Sequence, residues 1–549
     1  MTLPMTRRLF LPLAALTLGG AAGCVDLTEH PVTQITSAYY STPTGFEAAV
    51  NATYTPMRNH WPLERGSTMT VFGTDEYQKG ADGSYKFFND YTAQLNGDVD
   101  FIRDTWFDFY KGINTANTVI AAAPTANLPD ATKNLRVGEA KFLRAFYYFT
   151  LVRTFGDIPL YTEPTPGVTT ETNRESAAKV YDQIIKDLLE AEAALPDKAS
   201  QFGRADKPAV QHLLGEVYLT RAGGATSSPF FALAAAKLQA VANNPRFSLV
   251  PNYRDLWRID NEANAEVVFS IQFTADPLTT GSGNKLHLYW GYPYDLEPGM
   301  QRDIANDRPF RRFRPSTWLL KLWNRTIDDR YDAMHKVVWF SNNPNNIPKV
   351  NGVNKFNVGD TAVFFPGKAT LTAAERAAVP YKMYAENEYQ DAIFPVLNKY
   401  LDPTRTSTNQ EEGQRDHPIF RLANTYLMLA EALIRDGKVN EGLVYINKVR
   451  TRAAKPGQVA AMQVTAADLA QTSSGSPAPL DFILDERARE LTGETTRWFD
   501  LTRTGQLVNR VKKWNPGGGP NIQEFHNLRP LPNAEILNST GAMKQNPGY

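Results

Sequence analysis

One cysteine, Cys24, is all that 549 residues contain, which excludes an intramolecular disulfide framework and any cysteine-based zinc or iron–sulfur site. Histidine is nearly as scarce. His30, His60, His212, His287, His335, His417 and His526 lie far apart with no HExxH pair, so no metal site is expected. Net charge is absent: 58 basic residues face 58 acidic ones, and no single-sign field points toward nucleic acid or an acidic membrane surface. Also missing are a GxSxG elbow, a GxxxxGK[ST] loop and a strand-linked GxGxxG, and the "GGGP" at Gly517 reads as a flexible turn. No cofactor and no catalytic residue is expected. The longest apolar run near the start, from Leu9 to Leu18, is too short to span a bilayer.

That short run is followed by the lone thiol. Arg7 and Arg8 precede it, and Ala21, Ala22 and Gly23 lead into Cys24, the layout of a secretory signal. A plain signal needs no cysteine there; a bacterial lipoprotein signal does, because the thiol is lipidated and becomes residue one after cleavage. The alternative is an incidental buried thiol. Ala21 stands where leucine is commonest. The reading gives residues 1–23 as signal peptide and 24–35 as a lipidated tether, with membrane contact through lipid only.

What is present is an ordered globular composition, 42% hydrophobic and 21% charged, with 24 Tyr, 29 Phe and 9 Trp. Three- and four-residue apolar spacing predicts helices in "DFIRDTWFDFYKGINTANTVIAAA" and "NLRVGEAKFLRAFYYFTLVRTFGDIPL". In the second, Leu143, Phe146, Tyr147 and Leu151 share one side, and the helix should stop near Gly156, before Pro159. "SAAKVYDQIIKDLLEAEAALP", "KPAVQHLLGEVYLTRAGG" and "FALAAAKLQAVANN" predict three more. From about Tyr253 to Asp416 the chain is rich in Asn, Pro, Gly and aromatics, with short strand-like pieces such as "EVVFSIQF" and "TAVFFP". Helices return in "PIFRLANTYLMLAEALIRDGKVNEGLVYINKVRTRAA" and "LDFILDERARELTGETTRWFDLTRTGQL". The first resembles a tetratricopeptide unit, with Ala430, a turn at Gly437, and Gly442 where the second helix must approach the first. The organisation expected is a helical region 36–250 and a second region 251–549, loop-rich over 251–416 and helical over 417–549, packed as one globular unit.

Two features could carry enzyme chemistry. Asp485, Glu486, Glu490, Glu494 and Asp500 could include a pair of catalytic carboxylates, but Arg487, Arg489 and Arg497 interleave at helical spacing, which favours ion pairs. "NGDVDFIRD" offers Asn96, Asp98, Asp100 and Asp104 but lacks the glycine and terminal glutamate of a calcium loop, and helix capping accounts for it equally well. The stronger signal is aromatic. Tyr77, Tyr85, Phe87, Phe88 and Tyr91, with Asn89, fall in one Gly/Asp-rich loop; His287, Tyr289, Trp290, Tyr292 and Tyr294 surround Gly291 and Pro293 in another. Flat rings stack on the apolar CH faces of sugars while polar neighbours meet the hydroxyls, so both clusters are candidates for saccharide capture. The alternative for each ring is packing beneath a long loop. Trp106 and Trp323 are expected in the core, with Trp61 and Trp339 as weaker loop candidates.

"VDL" after Cys24, "WFDFYKGINTANTVI", "GEAKFLRAFYYFTLVRTFGDIPL", "RLANTYLMLAEAL", "INKVRTRA", "ILDERARELTGETTRWFDLTR" and "LPNAEILNSTGAMKQNPGY" together resemble, almost end to end, the SusD-like (RagB-like) family of surface nutrient-binding lipoproteins of Bacteroidota. The resemblance implies a mainly α fold in which about four tetratricopeptide-like helix pairs support an irregular, loop-rich ligand-binding half with a few short strands. It implies a non-enzymatic protein lipid-anchored at the outer membrane, probing the cell exterior as a lid over a SusC-like TonB-dependent transporter and delivering captured oligosaccharide or polysaccharide. Peptide capture by the same architecture, a surface adhesin, and a secreted glycoside hydrolase using Glu490 or Glu494 are the alternatives. The family's ligand contacts lie in variable loops, so no motif transfers them.

Overall fold

A computed structural model describes residues 37–549 apart from 166, 168, 169 and 542. The expected signal peptide, the tether and Cys24 lie outside the described residues.

The scaffold is helical. Helix α1 (Asp100–Ala122) opens with Asp100 in its first turn, where a negative charge suits the helix dipole, and buries Ile102, Trp106, Phe109, Ile113 and Ala116 at three- and four-residue steps. Helix α2 (Asp130–Phe155) stops at Gly156, whose φ of 78° places it in the left-handed region that glycine enters without strain. The sequence predicts one apolar side for α2. In the structure every residue from Phe142 to Val152 is buried, because α1 packs on one flank and α3 (Ala177–Ala194) on another. The polar members are paired: Arg144 donates to both oxygens of Asp187 on α3, at 2.8 and 2.7 Å.

Helix α4 (Lys207–Ala222) follows, with Asp206 accepting from the Ala209 amide as its cap and Pro208 in its first turn. Helix α5 (Pro229–Ala242) is capped by Ser228. Each packs on its predecessor in the series, and α5 meets α6 (Leu422–Arg435), which pairs with α7 (Val439–Ala453). The predicted turn is present, with Gly437 at φ 83°. Gly442 is required by proximity, since a Cβ there would lie 2.5 Å from Ile434 Cγ1. Helices α8 (Leu480–Leu491), α9 (Arg497–Arg503) and α10 (Leu507–Trp514) follow.

The loop-rich part contributes only short strands. β1 (Tyr77–Lys79) pairs antiparallel with β3 (Phe313–Pro315), and β2 (Val267–Ile271) with β7 (His417–Arg421). The segment "PIFR" is therefore strand where helical periodicity suggests the helix has already begun; its β-branched and aromatic residues extend along β2, and α6 starts at Leu422. β4 (Val338–Phe340), β5 (Thr361–Phe364) and β6 (Lys382–Met383) form a three-stranded sheet. The main apolar core takes residues from Met57 to Met543, and a smaller one gathers Tyr292, Tyr294, Met300, Trp339, Phe356, Phe365 and Tyr384. Among the described residues no helix is long and apolar enough to cross a membrane.

Candidate functional site

The two aromatic loops come together, but with their rings turned inward. Tyr77 meets Trp290 edge to face at 4.7 Å, and Trp290 also packs on Phe313 and Tyr400. Nine of the eleven expected contact residues, namely Tyr77, Phe88, Asn89, Tyr91, His287, Tyr289, Trp290, Tyr292 and Tyr294, are buried. Several of their polar atoms are committed as well, though Trp290 Nε1 is buried without a hydrogen-bond partner among the described residues. Tyr91 Oη donates to Gly73 O at 2.8 Å, Tyr294 Oη to Asp307 O at 2.7 Å, and Tyr292 Oη to Glu297. Asn89 Oδ1 accepts from Asn515 Nδ2 at 2.9 Å, and His287 Nε2 lies 2.9 Å from Glu411 O. These nine rings and amides have no face for a sugar in this conformation. The physical reason is that the irregular chain packs its large rings inward: Tyr77, Phe88, Tyr91, Tyr289 and Trp290 join the main core, and Tyr292 and Tyr294 the smaller one. Trp61, Trp106, Trp323 and Trp339 are buried too.

Tyr85 and Phe87 remain half-buried. Tyr85 stacks on Phe101 at 3.8 Å and donates to Asp100 Oδ2 at 2.8 Å, which fixes its ring beside the surface. That bond occupies one carboxylate of "NGDVDFIRD", and Asp104 pairs with Arg103 at 2.8 Å. Among the described residues no group of three or more His, Cys, Asp or Glu is placed to hold a metal ion.

An aromatic cleft lies on the other face of the β1–β3 ribbon. Side chains alternate along a strand, so Gln78 and Arg314, directly opposite in the register, project to the same face. There they border a cleft of about 780 Å³ together with Trp318, Lys321, Arg489, Lys513 and Trp514. Trp318 and Trp514 stack with centroids 6.0 Å apart and planes at 26°. Arg510 and Arg497 cover the back of Trp318, at 5.1 and 5.6 Å from the ring. Trp514 is half-buried and borders the cleft. Both indole N–H groups donate to one residue: Trp318 Nε1 to Ser474 Oγ at 3.3 Å and Trp514 Nε1 to Ser474 O at 3.1 Å. The rings are thus held in place before any ligand arrives, which lowers the ordering cost of binding.

Deeper residues fix this wall. Ser474 Oγ donates to Asp485 Oδ2 at 2.7 Å; Asp485 also pairs with Arg510, which reaches Asp75 at 2.7 Å. Gln78 Nε2 donates to Trp514 O at 3.0 Å, tying the ribbon to the end of α10. Burial lowers the pKa of Arg314, with nearby Asp391 partly offsetting it. Sequence reasoning passed over Trp318 and Trp514. A signal existed for Trp514, which ends α10 immediately before "NPGGGP", where a ring at a helix terminus leaves the core. That turn is not loose: a Cβ on Gly518 would lie 2.5 Å from Asn89 O, so the glycines let the 88–91 segment dock.

The carboxylates of Glu486 and Glu490 on α8, and of Glu494 just beyond it, are held by cations. Glu486 accepts from Arg330 at 2.9 Å, Arg450 at 2.7 Å and Arg489 at 2.9 Å; Glu490 meets Arg421 at 2.8 Å and also Arg452. Glu494 binds Arg421 and Lys399 at 2.7 and 2.6 Å. Burial alone would raise Glu494, but Arg421 and Lys399 outweigh it and hold the group at about 2. A general acid needs the opposite shift.

Two family models match the chain, one described as the SusD family over residues 377–549 and one as starch-binding, associating with the outer membrane, over residues 35–219. Together they take in well over half of it. The chain belongs to the SusD family. A SusD-like protein, P2, of Formosa agariphila is 28% identical over 96% of this chain and 97% of its own length. The starch-binding protein SusD of Bacteroides thetaiotaomicron is 25% identical, over 77% of this chain and 75% of its own. Among solved structures, a laminarin-binding SusD-like protein superposes with a TM-score of 0.68 at 25% identity, covering 93% of this chain and all of that one. The mainly α, tetratricopeptide-like architecture with its irregular half is the fold of this family.

Proposed function

We propose that the protein captures oligosaccharides at the cell surface and passes them to a partner SusC-like TonB-dependent transporter, acting as its lid. Membership of the family, whose model description joins starch binding to the outer membrane, supports this reading, as do the relatives named for laminarin and starch. The single structural observation that carries it is the Trp318–Trp514 wall, preorganised by Ser474 and bordered by Gln78, Arg314 and Lys513. A sugar ring stacks on Trp514 while the polar rim takes its hydroxyls. Lipidated Cys24 supplies the anchor, and residues 24–35 the tether. The protein selects by binding and carries out no covalent chemistry: Glu486, Glu490 and Glu494 are held ionised inside a network of basic side chains. Tyr85 and Phe87, at the edge of the loop-rich half, are secondary contacts.

Calorimetry of the protein against a panel of oligosaccharides tests this. Binding of at least one glycan, weakened by Trp514→Ala, is expected. Firm binding of peptides with no glycan bound would replace the sugar part of the proposal.

A further inference from the structure

The charge on the cleft is one-sided. Its border carries Arg314, Lys321, Arg489 and Lys513 against a single carboxylate, Asp485. Asp485 is engaged with Arg510, Ser473 and Ser474. The whole chain has equal numbers of acidic and basic residues, so this is a local concentration and not a consequence of composition.

The cations are incompletely neutralised. Lys513 is exposed, and its Nζ donates to Ser473 O, a neutral carbonyl, at 3.1 Å. Arg314 Nη2 donates to neutral Gln78 Oε1 at 3.1 Å, with Asp391 at 3.6 Å. Lys321, also exposed, has Glu386 only at 3.9 Å. Arg489 alone has a close carboxylate, Glu486 at 2.9 Å, and Glu486 already serves Arg330 and Arg450. A concave site with one sign of charge and low-dielectric walls concentrates ligands of the other sign.

A second aromatic cleft supplies the contrast. On the flank of α1, Trp106, Phe107, Tyr110 and Tyr161 border a space of about 610 Å³ whose only charged side chains, among the described residues, are Glu163 and Glu535. Aromatic clefts in this protein are therefore not basic by default.

We infer that the glycan taken by the Trp318–Trp514 cleft is anionic, carrying uronate carboxylates or sulfate esters; this rests on the reading of that cleft as a glycan site. Lys513 Nζ lies 5.1 Å from the centroid of the Trp514 ring, so a sugar stacked on the indole turns its acidic substituent toward the ammonium group. Arg314 and Arg489 add planar donors suited to carboxylate or sulfate oxygens.

The test is calorimetry of the protein with oligosaccharides of polygalacturonate (uronate), carrageenan (sulfate) and laminarin (neutral), each at low and high salt. At least one anionic probe should bind about tenfold or more tighter than laminarin, the size of one charge-assisted hydrogen bond, and lose affinity as salt rises. Lys513→Glu should weaken the anionic probe by about tenfold or more without lowering Tm, since the side chain is exposed. Laminarin bound as tightly as both anionic probes, or anionic binding indifferent to Lys513→Glu and to salt, overturns the inference and leaves glycan capture standing. Binding of none of the three at any salt overturns the glycan reading itself.

Discussion

Arg497 on α9 grips Asp75 in a two-pronged pair, Nε to Oδ1 at 2.7 Å and Nη2 to Oδ2 at 2.6 Å, joining segments 422 residues apart. Arg510 on α10 adds a third donor to the same carboxylate at 2.7 Å. Both arginines also back the Trp318 ring, so this buried pair sets the position of the cleft wall as well as the loop leading into β1. Burial would raise the Asp75 pKa, but the two guanidinium groups bring it below the usual carboxylate range.

Asp75→Ala leaves two buried arginines short of their anion. Removing one partner of such a pair costs about 3–5 kcal/mol, and chemical denaturation should read a loss of that size. A loss under about 1 kcal/mol would mean that the network carries little of the fold.

Trp290→Ala and Trp514→Ala should separate stability from binding. Trp290 is 2% exposed among Tyr77, Phe313 and Tyr400, so its truncation should cost about 3–5 kcal/mol. Trp514 is half-buried; its truncation should lower Tm much less while weakening glycan binding about tenfold or more. Equal falls in Tm for the two variants would count against Trp514 as a ligand platform.

Acid and base should act through different glutamates. At Glu431 burial raises the pKa, but Arg503 and Arg435 outweigh it and hold the group at about 2, below the unfolded value of about 4.3. Its stabilising contribution is present above about pH 4.3 and is lost as pH falls toward 2, so Glu431→Gln should flatten the acid limb of Tm against pH. Glu76 behaves oppositely: burial pushes it up to about 8, against the pull of Arg497. Its contribution is present below about pH 4.3 and lost as pH rises through 8, so Glu76→Gln should gain stability relative to the parent between pH 5 and 9. A constant difference across that range would show that Glu76 stays ionised.

Gly442→Ala should destabilise despite alanine's better helix propensity. The added methyl would meet Ile434 Cγ1 at 2.5 Å and the backbone oxygen of Ala430 at 2.9 Å, so α6 and α7 must separate. Overpacking of this kind costs about 1–3 kcal/mol, more than the propensity gain of about 1. An unchanged Tm would show that the pair can slide.

The sequence made the helical scaffold readable because amphipathic periodicity and capping are local. Gly156 ended α2 as predicted, and Gly437 and Gly442 marked a turn and a close crossing. The same local signals misjudged α2's surroundings, since the four residues of one stripe cannot announce that a second helix covers the other side. The carboxylates of α8 and Glu494 after it were legible as ion pairs from their interleaved arginines, but most of the partners, Arg330, Arg421, Arg450, Arg452 and Lys399, come from other elements.

The sequence by itself determined the helix order, the turns, the family signature and the lone Cys24 behind its short apolar run. Only the tertiary structure decided which aromatic rings face solvent. Tyr77 is buried because Trp290, more than two hundred residues away, lies against it, and Trp514 borders the cleft because Ser474 and Gln78 hold it there. Exposure of a ring in irregular chain is set by contacts at long sequence separation, and no local period encodes them.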